Sequence, residues 1–155
     1  AACRRAVVMR TSWVFGANGQ NFVKTMLRLG RERDSLGIVA DQYGAPTAAA
    51  DIAAALITIV RRHTPEQLAE RAGIYHYCGS PYASWFEFAE TIFAEAAAQG
   101  VLAKIPAVKP IATADYPTPA KRPADSRLDC GKIRAVFGIG PCDWHSALSD
   151  LRPYL

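Results

Sequence analysis

The sequence predicts an α/β fold with a parallel or mixed sheet, and three observations carry that prediction. Short apolar runs at 6–9, 36–40 and 74–78 read as buried strands. Segments 20–33, 48–62 and 84–99 carry apolar residues at helical spacing. Strands and helices alternate along the chain, the order expected of an α/β sheet rather than of a bundle or a sandwich.

The first run, Ala6-Val7-Val8-Met9, leads into Arg10-Thr11-Ser12-Trp13-Val14-Phe15-Gly16. Ligands of parallel sheets sit outside the carboxyl ends of strands, so Thr11, Ser12 and Trp13 fall where a site would be built. An indole beside two hydroxyls can give a flat wall to a sugar, a base or a nicotinamide ring, or it can be core. The helix at 20–33 presents Phe22, Val23, Met26, Leu27 and Leu29, and its basic last turn suits the helix dipole. After the strand at 36–40, residues 41–46 read as a loop with Gly44 and Pro46 as turn residues. Thr47 is read as the N-cap of an Ala-rich helix at 48–62 that buries Ile52, Leu56, Ile59 and Val60. Thr64, Pro65 and Gln67 open a short helix, which Gly73 stops before the strand at 74–78 returns to the sheet. Ser84 and Glu87 form a capping-box spacing for the helix at 84–99, with Trp85, Phe88, Ile92 and Phe93 on its apolar side and Gly100 at its end. Residues 101–128 hold five prolines and little periodicity, and read as one long functional or disordered loop. A short helix at 130–137 stops at Gly138, and Asp143 caps a last helix containing Trp144, Leu148 and Leu151.

Half of the 155 residues are apolar, enough for a core. No apolar run approaches the roughly 18 to 20 residues of a membrane span, so a soluble, cytoplasmic protein without a membrane partner is expected. The net charge of +4 is spread with no run of five basic residues, which argues against nucleic acid and for anionic small molecules. Its densest basic section holds Lys104, Lys109, Lys121, Arg122 and Arg127. Cys3, Cys78, Cys130 and Cys142 form no Cys-x-x-Cys pair, and His63, His76 and His145 have no neighbouring ligand set, so no metal site is predicted and free thiols are expected.

Three motifs in order carry a resemblance: residues 10–16, then Asn21-Phe22-Val23-Lys24-Thr25-Met26, then Asp41-Gln42-Tyr43-Gly44-Ala45-Pro46-Thr47. Together they resemble the dTDP-4-dehydrorhamnose reductases, which are extended short-chain dehydrogenase/reductases. The likeness continues through Trp85-Phe86-Glu87-Phe88-Ala89 and Arg122-Pro123-Ala124-Asp125-Ser126, and covers nearly the whole chain but only the C-terminal half of that family. It implies an α/β fold that is the C-terminal part of an NAD(P)-binding Rossmann-like sheet plus a small substrate-binding domain. Residues 1–155 would form a single substrate-binding portion, with 1–40 and 74–79 giving strands to the parent sheet and 41–73 and 80–155 mainly substrate domain and helices. By the same resemblance, Thr11 and Ser12 lie beside the nicotinamide, Trp13 packs on the sugar, and Asn21 and Phe22 meet the nucleotide-sugar from a helix start. Asn21 could instead be a plain helix cap. Gln42 would hydrogen-bond the nucleotide or sugar, unless its loop only shapes a turn, and Arg122 would grip the substrate diphosphate bidentately. Family members often have Asn where this chain has Asp125.

Two family features are missing. No glycine-rich phosphate turn follows the first strand; Gly138-Ile139-Gly140 is the nearest approach, with Asp143 where the third glycine belongs. None of the six tyrosines has a Lys four residues on, so the chain holds no catalytic Tyr-Lys pair. The expectation is a substrate-binding half, inactive alone, of an NADPH-dependent reductase making dTDP-L-rhamnose. Its expected partners are a dTDP-sugar, the missing N-terminal half and a second copy in a homodimer; some relatives also bind magnesium at a subunit interface. A nucleotide-sugar epimerase, another sugar reductase and a non-catalytic regulatory subunit on the same scaffold remain as alternatives.

Overall fold

Strand β1 (Val7–Arg10) forms from the first β-branched run, in a computed structural model that describes residues 6–120 and 122–155. Cys3, Arg4, Arg5 and Lys121 lie outside the described residues. In chain order there follow β2 (Val14–Phe15), α1 (Phe22–Glu32), β3 (Ser35–Val39), β4 (Tyr43–Gly44), β5 (Thr47–Ala48) and α2 (Ala49–Arg62). Next come α3 (Pro65–Glu70), β6 (Gly73–His76), β7 (Gly79–Ser80), β8 (Ala83–Ser84) and α4 (Trp85–Ala98). The chain closes with β9 (Ala107–Ile111), α5 (Gly131–Phe137), β10 (Cys142–Asp143) and α6 (Trp144–Leu148).

The strands pair two by two. β1 runs parallel to β6 with Val8 opposite Ile74, and β3 runs parallel to β9 with Ile38 opposite Pro110. Short parallel pairs join β2 to β5 and β7 to β10, whereas β4 and β8 are antiparallel. The fold is therefore mixed α/β, as the alternation predicts. Within the described residues β3 does not join the β1–β6 pair that residues 1–40 were expected to extend; it pairs with β9 instead.

Local chemistry fixes the helix ends where the sequence places them. The Ser84 hydroxyl accepts the Glu87 amide at 3.1 Å while the Glu87 carboxylate accepts the Ser84 amide at 2.6 Å, closing a capping box. Thr64 and Gln67 close a second box, with Pro65 in the first turn. Gly138 ends α5 at φ 67°, a left-handed conformation that favours glycine, and the Asp143 carboxylate caps α6 through the His145 amide.

Three expectations are corrected. Thr47 is not the cap of α2: it lies in β5, fully buried, and its hydroxyl donates to the Ala45 carbonyl and accepts the Gly79 amide. The buried row of α2 is Ala55 and Ile59, one turn apart, with Ile52 partly covered on the same side. Leu56 and Val60 belong to the adjacent row and stay 43% and 66% exposed. Finally, residues 101–128 are not one loop, because β9 lies inside them. Lys109 and Pro110 break its apolar pattern, and Pro110 is tolerated because β9 pairs on one side only among the described residues.

Two apolar clusters anchor these pieces. The larger packs α1, α4, β3 and α6 around Val23, Leu27, Phe88, Ile92, Phe93 and Trp144. The smaller joins α2, β6 and α5 through Ile59, Tyr75, Ile133 and Phe137. The cleft described next opens where the larger cluster meets the carboxyl ends of β1 and β3.

Candidate functional site

The site begins where β1 ends. Trp13 leaves the strand at φ 46°, in the left-handed region, a strained conformation for a bulky side chain. Its carbonyl is held by the Thr47 amide at 3.1 Å, so β5 stabilises the bend. The turned indole stacks on Trp85, with ring centroids 3.6 Å apart and planes 10° from parallel. A Cβ built on Gly44 would fall 2.3 Å from Cε2, 2.6 Å from Nε1 and 2.7 Å from Cζ2 of the same indole. Three such distances place Gly44 over the ring, and the stacked Trp85 leaves room for it only on the opposite face. The Trp13 ring is thus sandwiched, and what remains free is its edge.

That edge is tied as well. The indole N–H donates to the Ser126 hydroxyl at 3.1 Å, and the hydroxyl donates to the Tyr43 carbonyl at 3.0 Å. The backbone beside Ser126 is bound to β4: the Tyr43 amide donates to the Ala124 carbonyl, and the Ser126 amide to the Tyr43 carbonyl, each at 2.8 Å. Segment 122–126 is therefore fastened next to Trp13, and Arg122 at its start faces the same cleft.

The cleft has a volume of about 730 Å³, in the range of small-molecule sites. It brings together Ser12, Trp13, Phe22, Gln42 and Arg122 from the residues singled out in the sequence. Thr11 is exposed at the tip of β1 beside Ser12, on the rim rather than among the lining residues. Phe22 supplies apolar wall, 4.7 Å from the Trp85 ring. Gln42 is 8% exposed; its amide N–H donates to the Thr113 hydroxyl at 3.0 Å, and that hydroxyl donates to Asp41 at 2.6 Å. These hydrogen bonds from Thr113 hold the Asp41 carboxyl below the usual range. Asp41 thereby ties β9 and its following turn to the Gln42 loop.

Charge separates the two arginines nearby. The Arg127 guanidinium is engaged bidentately by Asp125, at 2.7 and 3.0 Å, which places the Asp125 carboxyl at about 2. Asp125 serves that local pair. Arg122 has no ion-pair partner among the described residues, so an uncommitted cation faces the cleft.

Asn21 stands apart from the cleft. Its side-chain oxygen accepts the Lys24 amide at 3.2 Å and its NH₂ donates to the Gly16 carbonyl at 2.7 Å, so it caps α1 and closes the turn before it. It borders a second, shallower groove of about 1050 Å³ whose charged lining residues are Asp51, Asp143 and Asp150. Three carboxylates with no cation among the lining residues oppose a diphosphate. Among the described residues no three His, Cys, Asp or Glu side chains converge on a metal position.

Three site residues escape sequence reasoning. Trp85 reads as the apolar side of α4, Gly44 as a turn residue, and Ser126 as one letter of a motif. Only the fold shows that all three enclose one indole. Positive φ at Trp13 is invisible in a strand-like stretch, and a contact across 113 residues leaves no local pattern.

A mixed α/β chain whose parallel strand ends open on an aromatic-walled cleft has the architecture of part of an extended short-chain dehydrogenase/reductase. Within that class, the chain belongs to the RmlD substrate binding domain family, whose model matches residues 1–153. It is 53% identical over 150 residues to the dTDP-4-dehydrorhamnose reductase of Aggregatibacter actinomycetemcomitans, covering 97% of this chain and 51% of that one. The Escherichia coli K12 dTDP-4-dehydrorhamnose reductase is 38% identical over 145 residues, covering 92% and 47%. Among solved structures, the dTDP-4-dehydrorhamnose reductase of Bacillus anthracis in complex with NADP matches with a TM-score of 0.77 and 34% identity, covering 92% of this chain and 46% of that one. The chain spans about half the length of the curated relatives it matches. The fold is the C-terminal part of an NAD(P)-binding Rossmann-like extended reductase.

Proposed function

We propose that this chain is the substrate-binding half of an NADPH-dependent reductase acting on dTDP-4-dehydro-L-rhamnose. The observation that carries the reading is that Arg122, which has no ion-pair partner among the described residues, lines one cleft with the Trp13–Trp85 stack and with Ser12 from the strand end. A diphosphate needs a cation, and Arg offers two parallel donors to it. A deoxysugar needs an apolar wall with a few polar contacts, which Phe22, Trp85 and Gln42 provide. NADPH, when bound, would supply the hydride. Thr11 and Ser12 would border its nicotinamide from the end of β1.

On this reading the proton donor and the glycine-rich turn would lie in a half of the protein that precedes these residues. Support comes from the β1–β6 pair: one face packs on α2 and α5, while Val8 and Ile74, opposite each other on the other face, are 46% and 45% exposed. Parallel sheets are normally covered on both faces, so an N-terminal half fits that bare face. Alone, the 155-residue chain would bind substrate without turning it over.

Isothermal titration with dTDP tests the reading. The chain is expected to bind dTDP, and Arg122→Gln to weaken binding at least about tenfold, the loss of one charge-assisted contact. NADPH oxidation with dTDP-4-dehydro-L-rhamnose should be undetectable for the chain alone. Absence of dTDP binding, or turnover by the isolated chain, overturns the proposal.

A further inference from the structure

We infer that Ser126 is a positioning residue that locks the sugar wall to the diphosphate grip, an inference resting on the reading above. Its hydroxyl is used twice: it accepts the Trp13 indole N–H and donates to the Tyr43 carbonyl. Neither bond exists for alanine, and a threonine preserves both. The Trp13 ring has two other restraints, Trp85 on one face and Gly44 on the other, but both only confine it to a slot. Rotation or sliding within the slot is opposed by the single directional contact, the one to Ser126. The strained backbone at Trp13 makes that contact matter more, since a left-handed φ at a bulky residue persists only where its surroundings hold it.

The same serine terminates the segment that carries Arg122. Between them, Ala124 and Ser126 are bonded to Tyr43 through the backbone, so Arg122 and Trp13 hang from one short stretch of β4. A nucleotide-sugar spanning the cleft would meet both ends of this stretch at once. Ser126 therefore adds little to holding dTDP, which reaches Arg122, and much to the additional affinity contributed by the sugar, which reaches the indole edge.

The test compares dTDP with dTDP-L-rhamnose by isothermal titration on the full chain, alongside circular dichroism of the stacked indoles. Wild-type chain should bind the sugar nucleotide more tightly than dTDP and show the exciton signal of a coupled indole pair. Ser126→Ala should lose about tenfold for dTDP-L-rhamnose, change dTDP affinity less than about twofold and diminish the exciton signal. Ser126→Thr should restore both. A merely structural role would weaken the two ligands alike, and that result overturns the inference. So does a Ser126→Ala chain with unchanged exciton signal and unchanged preference for the sugar nucleotide. Trp13→Phe, which keeps a ring but has no N–H donor, provides the second variant: in that background serine and alanine at 126 should become indistinguishable, and a remaining loss of sugar preference on Ser126→Ala refutes the contact. If wild-type chain binds neither ligand, the functional reading itself fails, an outcome distinct from all of these.

Discussion

Replacing Gly79 with alanine is expected to destabilise the fold severely, because the position is closed on the backbone side. A Cβ there would lie 2.0 Å from the Pro46 carbonyl oxygen and 3.1 Å from Cδ1 of Trp144. Ordinary contact begins at 3.4 Å, so the Pro46 and Gly79 backbones must part by about 1.4 Å. Neither neighbour is the free end of a flexible chain. The separation breaks the buried bond from the Gly79 amide to the Thr47 hydroxyl, now 3.2 Å, and pulls β7 from β10. Overpacking of this kind costs about 1–3 kcal/mol. An orphaned buried amide and hydroxyl cost about 1–3 kcal/mol more. Against a domain stability of about 5–15 kcal/mol, the loss leaves a marginal or unfolded chain.

Urea unfolding of the 155-residue chain measures it, with Gly140→Ala as the control. Gly140 has nothing within 4 Å of a built Cβ and no positive φ, so alanine there should change stability by less than about 1 kcal/mol, and in the favourable direction. The m-value should stay constant in both, showing that the surface exposed on unfolding has not changed. A Gly79→Ala midpoint equal to that of Gly140→Ala refutes the argument, since it means that the Pro46 turn relaxes freely.

Three further outcomes follow from the same contacts. Ser84→Ala removes the cap of α4 and the hydroxyl bond to Glu87 at 2.9 Å, so the unfolding free energy should fall by about 1 kcal/mol; an unchanged value shows that the Glu87 half of the box suffices. Burial, and then the Cys130 thiol 3.5 Å away, pushes the Cys78 thiol up to about 12, so iodoacetamide at pH 8 should leave Cys78 unmodified in the native chain and label it in urea, as read by peptide mass. The Arg127 guanidinium holds the Asp125 carboxyl at about 2 instead of 3.8, so its side-chain ¹³C shift should titrate near that lower value. Because the folded value is depressed, whatever the pair contributes is fully present above pH 3.8 and disappears as pH falls through about 2. A midpoint near 3.8 shows that the pair does not persist in solution.

The helices were legible because their signals are local. Ser84 with Glu87, Thr64 with Gln67, and Gly138 after Phe137 each act within four residues, and the structure forms all three ends as read. Pairing was not legible, because it depends on partners far along the chain. β9 pairs with β3 across some seventy residues, and its Lys109 and Pro110 conceal a strand that one-sided pairing permits. Burial on α2 misled for a related reason. Apolar residues fill two adjacent rows of that helix, and only the position of Tyr75 and Phe137 decides that Ala55 and Ile59 turn inward while Leu56 and Val60 do not.

The site divides along the same line. Thr11, Ser12 and Trp13 were placed by a topological rule, that strand ends face the ligand, and the structure puts Ser12 and Trp13 on the cleft and Thr11 at its rim. Asn21 has two readings, a ligand contact from a helix start and a plain helix cap, and the structure forms the cap: the Gly16 carbonyl and the Lys24 amide engage its side chain. The wall is the deeper case. An isolated reading gives Trp13 a flat face for the sugar, yet Gly44 and Trp85 occupy both faces. The absence of a side chain at Gly44 is what admits the indole, so a residue that reads as a turn is half of an aromatic slot. A ring held in this way offers an edge, a fixed position and a polar tether. Its contribution to a ligand lies in being immobile, and immobility is set by residues whose letters suggest nothing of it.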